Sequence, residues 1–187
     1  MRIIGGTRRG LKLADVGDGD MAAHLRPTSD RVREAIFNLL VNGTQGNLVT
    51  GARVLDLFAG TGALGLEALS RGAAEAVFVD DGAKALVLLR ANIAKMRAEG
   101  ETRILRQDAT RLPPNPGAPF TLVFLDPPYG KALGEAALAQ AAKGGWLAPG
   151  AMIVWEESTP LLPPAGFDQR DQRRYGDTVV TLLRGPE

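Results

Sequence analysis

The fold is decided by the stretch Arg53-Val-Leu-Asp-Leu-Phe-Ala-Gly-Thr-Gly-Ala-Leu-Gly65. Its first half is an apolar run over residues 54–57 that is typical of a buried strand. Residues 59–62 then predict a tight glycine-rich turn, and residues 63–70 predict a helix. Glycines at positions 60, 62 and 65 match the dinucleotide-binding fingerprint, in which a strand, a glycine turn and a helix follow one another. The stretch therefore predicts an α/β fold with a ligand site at the end of its strand.

Two acids near this turn indicate what the ligand carries. Asp80 ends the next predicted strand, about 20 residues after the turn, where the fingerprint places an acid that binds ribose hydroxyls. Asp56 lies inside the strand–turn region, where it would repel a pyrophosphate and favour a positively charged ligand. S-adenosylmethionine has a ribose, a sulfonium and an ammonium but no phosphate, so it is the expected cofactor. The alternative for Asp56 is a turn acid that accepts hydrogen bonds from loop amides.

A second motif reads Phe120-Thr-Leu-Val-Phe-Leu-Asp-Pro-Pro-Tyr-Gly130. Its apolar run predicts a buried strand that stops at an acid followed by two prolines, which lack a backbone N–H. Asp126 therefore lies at the carboxyl end of a strand, where open α/β sheets bind ligands. The Asp126 carboxylate and the Pro127 carbonyl form a corner of acceptors suited to a planar amino group on a nucleobase, and Tyr129 is placed to stack on that base. An ordinary Asp-Pro turn with Tyr129 in packing is the alternative.

Predicted strands and helices alternate along the chain, which is the pattern of a doubly wound sheet. The strands are centred near Val54, Val77, Ile104, Val123 and Ile153. Four strands end in or near an acid, namely Asp56, Asp80, Asp108 and Asp126. Because the carboxyl ends of parallel strands meet at one edge, we expect these acids to line one site. Asp108 is placed to accept a hydrogen bond from an adenine amino group, or alternatively to cap a turn.

Composition excludes several other kinds of site. The chain has 187 residues, no cysteine and one histidine, His24, so disulfides and thiolate metal sites are excluded and no metal site is expected. No apolar run approaches the roughly 20 residues of a membrane span, and the first residues do not resemble a signal peptide. We therefore expect a cytoplasmic protein, and a monomer. The 22 basic and 21 acidic residues rule out a uniformly basic surface, so only a local patch could bind nucleic acid.

The first residues carry such a patch. Two short strands around the glycine-containing residues 5–10 predict a small hairpin, followed by a linker from Asp15 to Ala23. We therefore divide the chain into an N-terminal hairpin and linker over residues 1–23 and a main domain over residues 24–187. The first twelve residues hold Arg2, Arg8, Arg9 and Lys12 and no acid. Such a surface could neutralise phosphates, although a solvated hairpin tip is the alternative.

A helix is predicted from Asp30 to about Val41, with Thr28 or Ser29 as its N-cap. Its apolar stripe consists of Val32, Ile36, Leu39 and Leu40. Arg31, Arg33 and Glu34 are expected to lie mostly off that stripe. The helix should therefore pack by its apolar side and leave a basic side exposed to a ligand or to solvent.

The two motifs together resemble the class I S-adenosylmethionine-dependent methyltransferases that modify exocyclic amines. More closely, several separated segments are similar to the RsmD family, bacterial enzymes that methylate N2 of a guanine in 16S rRNA. These segments are Arg2-Ile-Ile-Gly-Gly6, Arg26-Pro-Thr28, Arg31-Val-Arg-Glu34, Leu64-Gly-Leu-Glu-Ala-Leu-Ser-Arg-Gly72 and Tyr175-Gly176-Asp177. The similarity runs from Arg2 to about Leu183.

The resemblance implies a Rossmann-like seven-stranded sheet whose last strand is antiparallel, and an N-terminal hairpin that helps to grip 16S rRNA within a small ribosomal subunit particle. The cofactor-binding residues that it implies are Asp56, Phe58, Ala59, Gly60, Thr61, Gly62, Asp80, Asp108 and Ala109. The residues that would receive the base are Asp126, Pro127, Pro128 and Tyr129. The candidate RNA contacts are Arg2, Arg8, Arg9, Lys12, Arg26 and Arg31.

The chain departs from the family at one site position. Asp80 is followed by Asp81, where the family usually has a glutamate and then a varied residue. Because aspartate reaches less far than glutamate, the expected ribose contact is shorter or bridged by water.

Three alternatives stay open from the sequence. The same chemistry could act on adenine N6 in DNA or RNA. The chain could instead be a nucleic-acid-binding module with a vestigial cofactor pocket, although four strand-end acids argue against decay. A nicotinamide oxidoreductase is the weakest of the three.

Overall fold

The structure is a computed structural model that describes residues 1–15 and 28–187. Residues 16–27, which include His24, Arg26 and most of the predicted linker, lie outside the described part. The strands are β1 (Arg53–Leu57), β2 (Glu75–Asp80), β3 (Thr102–Arg106), β4 (Phe120–Leu125), β5 (Leu147–Glu157), β6 (Asp168–Tyr175) and β7 (Thr178–Arg184). The α-helices are α1 (Asp30–Asn42), α2 (Ala63–Ser70), α3 (Ala83–Met96) and α4 (Leu133–Lys143).

The strands form one seven-stranded sheet in the order β3-β2-β1-β4-β5-β7-β6. Strands β1 to β5 pair in parallel, and β7 runs antiparallel to both of its neighbours, β5 and β6. This confirms the predicted doubly wound α/β fold with an antiparallel last strand. The direction of winding reverses between β1 and β4, and at such a switch point a crevice opens outside the carboxyl ends of the strands.

The central strands of the sheet are mostly buried on both faces, whereas the edge strand β6 is largely exposed. Alternate residues of β1 and β4 face opposite sides, so Val54 and Phe124 join one apolar cluster while Leu55 and Val123 join the other. Helices α1, α2 and α3 pack on the first side, and α4 packs on the second. Strands covered on both faces are continuous apolar runs, which is why the sequence predicted them well. Helix α2 and strand β4 have the predicted bounds, and Ser29 caps α1 by accepting from the Val32 amide at 3.2 Å.

The expectation that Arg33 lies off the buried side of α1 is wrong. Its side chain is fully buried, because residues 33, 36, 37 and 40 form the helical stripe that faces the core. The guanidinium donates to the Thr28 carbonyl at 3.3 Å, to the Asp30 carboxylate at 2.8 Å and to the Arg2 carbonyl. Burial lowers the pKa of Arg33, and the nearby carboxylate of Asp30 opposes that effect.

The N-terminal hairpin is present, but it is more compact than two extended strands. The Ile3 amide donates to the Leu11 carbonyl at 2.9 Å, one antiparallel bridge joins Arg2 to Lys12, and a 3₁₀ turn spans Gly6–Arg8. Ile3 is buried in the main core, so the hairpin packs on the domain.

The hairpin is fixed by the fully buried Glu67 of α2. Its carboxylate accepts from the amides of Ile4 and Gly5, both at 2.8 Å, and pairs with Arg71 at 2.7 Å. Gly6 has φ of 75°, and a Cβ there would lie 1.7 Å from the Ser70 carbonyl oxygen, so only glycine allows this approach.

Within the described part of the chain, no helix is both long and apolar enough to cross a membrane. The same residues contain no group of three or more histidine and acidic side chains arranged to hold a metal ion.

Candidate functional site

The site lies at the carboxyl edge of the sheet, where β1 and β4 diverge. Asp56 is almost completely buried there, and one of its oxygens, Oδ2, accepts from the Gly65 amide in the first turn of α2 at 2.9 Å. Burial raises the pKa of Asp56 well above its usual value, the Gly65 hydrogen bond lowers it, and the carboxylates of Asp126 and Asp80 raise it further. Two of the predicted strand-end acids, Asp126 and Asp80, are therefore close enough to Asp56 to influence its ionisation.

Asp56 also performs the structural role that the sequence left as its alternative. Gly65 permits this contact because a Cβ at position 65 would lie 2.4 Å from the Phe78 ring and 3.0 Å from the Asp56 carboxylate. The buried acid thus ties the end of β1 to the start of α2.

Asp56→Asn should stabilise the protein at neutral and alkaline pH. The amide oxygen of asparagine can still accept from Gly65, but it carries no charge to desolvate. Burial raises the pKa of Asp56 in the folded state. Its ionisation therefore lowers the free energy of unfolding progressively as the pH rises from about 4, the pKa in the unfolded chain, through the pKa in the folded state. At about pH 8 we expect the unfolding temperature of the variant to be several °C above that of the parent, which corresponds to roughly 1–3 kcal/mol of stability. At about pH 4 we expect the two unfolding temperatures to be equal. Unfolding temperatures that differ equally at both pH values would contradict this prediction.

Asp80 organises the glycine turn from the neighbouring strand. Its Oδ2 accepts from the Gly60 amide and its Oδ1 from the Gly82 amide, both at 2.8 Å. Burial raises the pKa of Asp80, and the two amide hydrogen bonds oppose that rise. Asp80 therefore fixes the turn after β1 to the loop that precedes α3.

The turn itself is held in an unusual conformation. Phe58 has φ of 59°, in the left-handed region that a bulky side chain rarely adopts. The Ala59 amide donates to the Val79 carbonyl at 3.1 Å, and Asn92 donates to the Thr61 carbonyl at 2.9 Å. These contacts fix the backbone of the predicted cofactor-binding segment 58–62.

Asp108 occupies a more open position at the end of β3. Its Oδ1 accepts from the Thr110 hydroxyl at 2.7 Å and from the Thr110 amide at 2.8 Å, so it caps the short 3₁₀ turn Ala109–Arg111. The hydroxyl hydrogen bond is the main cause that lowers the pKa of Asp108. The contacts are those of the turn cap that the sequence allowed, and the side chain is 39% exposed, so it remains accessible to a ligand.

Asp126 and the two prolines lie directly after the end of β4, where the acceptor corner is predicted. The Asp126 side chain is half-buried, Pro127 is buried, and Pro128 is half-buried. The hydroxyl of Thr28 donates to Asp126 Oδ2 at 3.4 Å. Tyr129 follows, with its hydroxyl 3.3 Å from that of Thr178 at the start of β7. The corner thus combines carboxylate and carbonyl acceptors with one aromatic ring at the switch point.

A family model described as "Conserved hypothetical protein 95" matches residues 1–184. Ribosomal RNA small subunit methyltransferase D of Escherichia coli strain K12 is 42% identical over 188 residues, which cover 98% of this chain and 89% of that protein. The chain belongs to the RsmD family. This confirms the resemblance that was based on the separated sequence motifs.

Other members of the RsmD family and one solved structure agree. The Haemophilus influenzae protein of the same name is 34% identical, over 98% of this chain and 93% of that protein. The solved structure of yhhF from Escherichia coli superposes with a TM-score of 0.84 at 36% identity, covering 100% of this chain and 98% of that one. The likeness therefore extends over the hairpin as well as the sheet.

The basic residues predicted to contact RNA in this RsmD-family chain differ in their surroundings. Arg2, Arg9, Lys12 and Arg31 are exposed. Arg8 is half-buried instead, and it donates to the Met96 carbonyl at 3.1 Å and to Glu101 at 2.9 Å. A groove of about 300 Å³ separates the hairpin from α1, with arginines 2, 9 and 31 and the acids 30 and 34 in its lining. Arg26 lies outside the described residues.

Four residues that the sequence interpretation did not assign to the site support it. Thr28 contacts Asp126, Arg33 and Glu67 hold the hairpin, and Asn92 joins the glycine turn to the chain after the hairpin, where it donates to the Ala14 carbonyl at 2.9 Å. The available signal was a polar residue inside an apolar helical stripe, as for Asn92 between Leu89 and Met96.

Proposed function

We propose that the chain transfers a methyl group from S-adenosylmethionine to the exocyclic N2 amine of a guanine in 16S rRNA, within a small-subunit assembly particle. The observation that carries the proposal is the acceptor corner of Asp126 and Pro127, whose acid interacts with the buried Asp56 at the sheet's switch point. Relatives named as small-subunit rRNA methyltransferases support the substrate class.

The residues present fit S-adenosylmethionine. Asp56 is a buried carboxyl whose charged form would be stabilised by a cationic group and destabilised by a phosphate. The ordered turn 58–62, with Asp80, Asp108 and Ala109 beyond it, would hold the remainder of the molecule. When bound, S-adenosylmethionine would supply an electrophilic methyl group: the amine nitrogen would bond to the methyl carbon as the carbon–sulfur bond breaks, and the amine would afterwards lose a proton to solvent.

The protein acts mainly by positioning the amine. The nitrogen of an exocyclic amine is a poor nucleophile because its lone pair is delocalised into the ring. Asp126 and the Pro127 carbonyl accept from its N–H groups and localise that pair, while Tyr129 covers one face of the base. Because the developing positive charge faces a fixed carboxylate, orientation and electrostatics supply the acceleration.

The base must first leave the RNA stack, which costs a few kcal/mol. Exposed cationic side chains on the hairpin and α1, including Arg2, Arg9 and Arg31, would bind flanking phosphates, and this favourable binding would offset part of that cost. Specificity for one nucleotide would then combine contacts between this surface and the RNA backbone with recognition of one extruded base by Asp126 and Pro127.

The test is transfer of labelled methyl from S-adenosylmethionine to 16S rRNA, both naked and in small-subunit particles from cells that lack the native activity. Nucleoside analysis should find the label as N2-methylguanosine, with particles preferred over naked RNA. Label on adenine N6 would keep the fold and the corner but overturn the substrate. Tight binding of S-adenosylmethionine without any labelled RNA would favour a nucleic-acid-binding module. Calorimetry with a nicotinamide cofactor tests the third alternative, an oxidoreductase, which requires that this cofactor binds.

A further inference from the structure

We propose that Thr28 and Arg33 are positioning residues for Asp126: Arg33 holds the backbone of Thr28, and the Thr28 hydroxyl orients the Asp126 carboxylate. The inference rests on the proposed function, because it assigns Asp126 to amine recognition. It adds two residues that make no contact with the substrate in that mechanism.

The contacts form a continuous path. The Thr28 hydroxyl donates to Asp126 Oδ2 at 3.4 Å, and the Thr28 carbonyl accepts from Arg33 Nη1 at 3.3 Å. Thr28 therefore touches Asp126 with its side chain and Arg33 with its backbone. A carboxylate free to rotate about two bonds would present its oxygens to an amine only part of the time, so one fixed oxygen favours the productive orientation.

Arg33 is suited to this task because it is rigid. Its side chain is fully buried, and its other nitrogen, Nη2, donates to the Asp30 carboxylate at 2.8 Å and to the Arg2 carbonyl. The carboxylates of Asp30, Glu67 and Glu156 stabilise the buried cation. A planar guanidinium with several donors can hold these acceptors together, whereas a lysine ammonium is a single point charge.

The same guanidinium links the corner to the hairpin. Through the Arg2 carbonyl it holds the strand that carries the exposed Arg2 side chain, a predicted phosphate contact. Arg33 thus contacts both the residue that orients Asp126 and the backbone of the hairpin, which Glu67 also holds.

The test compares four variants with the parent. Thr28→Val removes only the hydroxyl and keeps the carbonyl that Arg33 binds, and Thr28→Ser restores a hydroxyl. Arg33→Lys keeps the charge but loses the planar guanidinium that donates hydrogen bonds through both Nη1 and Nη2. Ser29→Ala is the matched control, because it removes the cap of α1 next to Thr28 and should lower the unfolding temperature without touching Asp126.

We expect Thr28→Val and Arg33→Lys to lower kcat on particles about 5- to 50-fold, with cofactor affinity within about twofold of the parent. Thr28→Ser should recover most of the rate, and Ser29→Ala should keep it after correction for the folded fraction. Parental kcat in Thr28→Val, or equal losses in Thr28→Ser and Thr28→Val, would overturn the proposal.

A second readout does not depend on activity. The carboxyl carbon resonance of Asp126, recorded by NMR on aspartate-labelled protein, should move in Thr28→Val and Arg33→Lys and return in Thr28→Ser. An unmoved resonance in Thr28→Val would overturn the positioning role even if the parent proved inactive on rRNA. An inactive parent with the expected shifts would instead contradict the proposed function alone.

Discussion

Asp126→Ala should lower the rate of methyl transfer by about 10²–10³-fold or more, because the amine then loses the fixed acceptor that localises its lone pair. Cofactor affinity should stay within a few-fold, since the expected cofactor contacts lie on β1, β2 and β3. The two effects are separated by single-turnover rates on particles and by calorimetric titration with S-adenosylmethionine.

One electrostatic side effect of this substitution is expected. The Asp126 carboxylate helps to raise the pKa of Asp56, so its removal makes Asp56 easier to ionise. A cationic ligand should consequently bind slightly better at neutral pH, never much worse. Asp168→Ala is the control, because Asp168 lies exposed on the edge strand β6, where its carboxylate is 3.5 Å from the guanidinium of Arg170. Retained turnover in Asp126→Ala would remove Asp126 from the proposed role.

Asp80→Ala should weaken S-adenosylmethionine binding by about 10²-fold or more. Hydrogen bonds to a charged group contribute about 1.5–3 kcal/mol each, and this carboxylate accepts from both Gly60 and Gly82. Its loss would release the glycine turn and also remove the expected ribose acceptor. Calorimetry measures the affinity, and circular dichroism checks that the sheet persists.

Neighbouring and conservative substitutions make this prediction specific. Asp81→Ala removes an exposed acid one position away, and it should bind the cofactor as the parent does. Asp80→Asn keeps one acceptor oxygen for the turn, so we expect an intermediate loss. Parental affinity in Asp80→Ala would reduce Asp80 to a turn acid that the fold tolerates losing.

The central strands could be predicted from the sequence because they are mostly buried on both faces. Phe120–Leu125, for example, is apolar at every position except Thr121 and is followed closely by two prolines, so it can be recognised without knowledge of its neighbours. The acids at the strand ends were located for the same reason, since strand direction alone sends them to one edge. The number of strands and the antiparallel last strand came from the family resemblance. The order of the strands was not predicted, because local patterns do not specify which strands pair.

The supporting polar residues could not be predicted in this way. The helical spacing of apolar residues predicts that charged residues face solvent. Arg33 and Glu67 are buried instead, because each binds backbone groups of the distant hairpin. Asn92 likewise binds chain segments at positions 14 and 61. Such residues are determined by tertiary contacts, which overrule the local preference for exposure.

The docking of the hairpin also has a consequence for the order of folding. Its anchors are far along the chain, since Glu67 binds Ile4 across 63 positions and Glu101 binds Arg8 across 93. During synthesis the hairpin segment leaves the ribosome before these partners have been made. Its contact with Glu101 can form only after about 90 further residues have been added. We therefore expect the N-terminal hairpin to become native late, after α3 has formed.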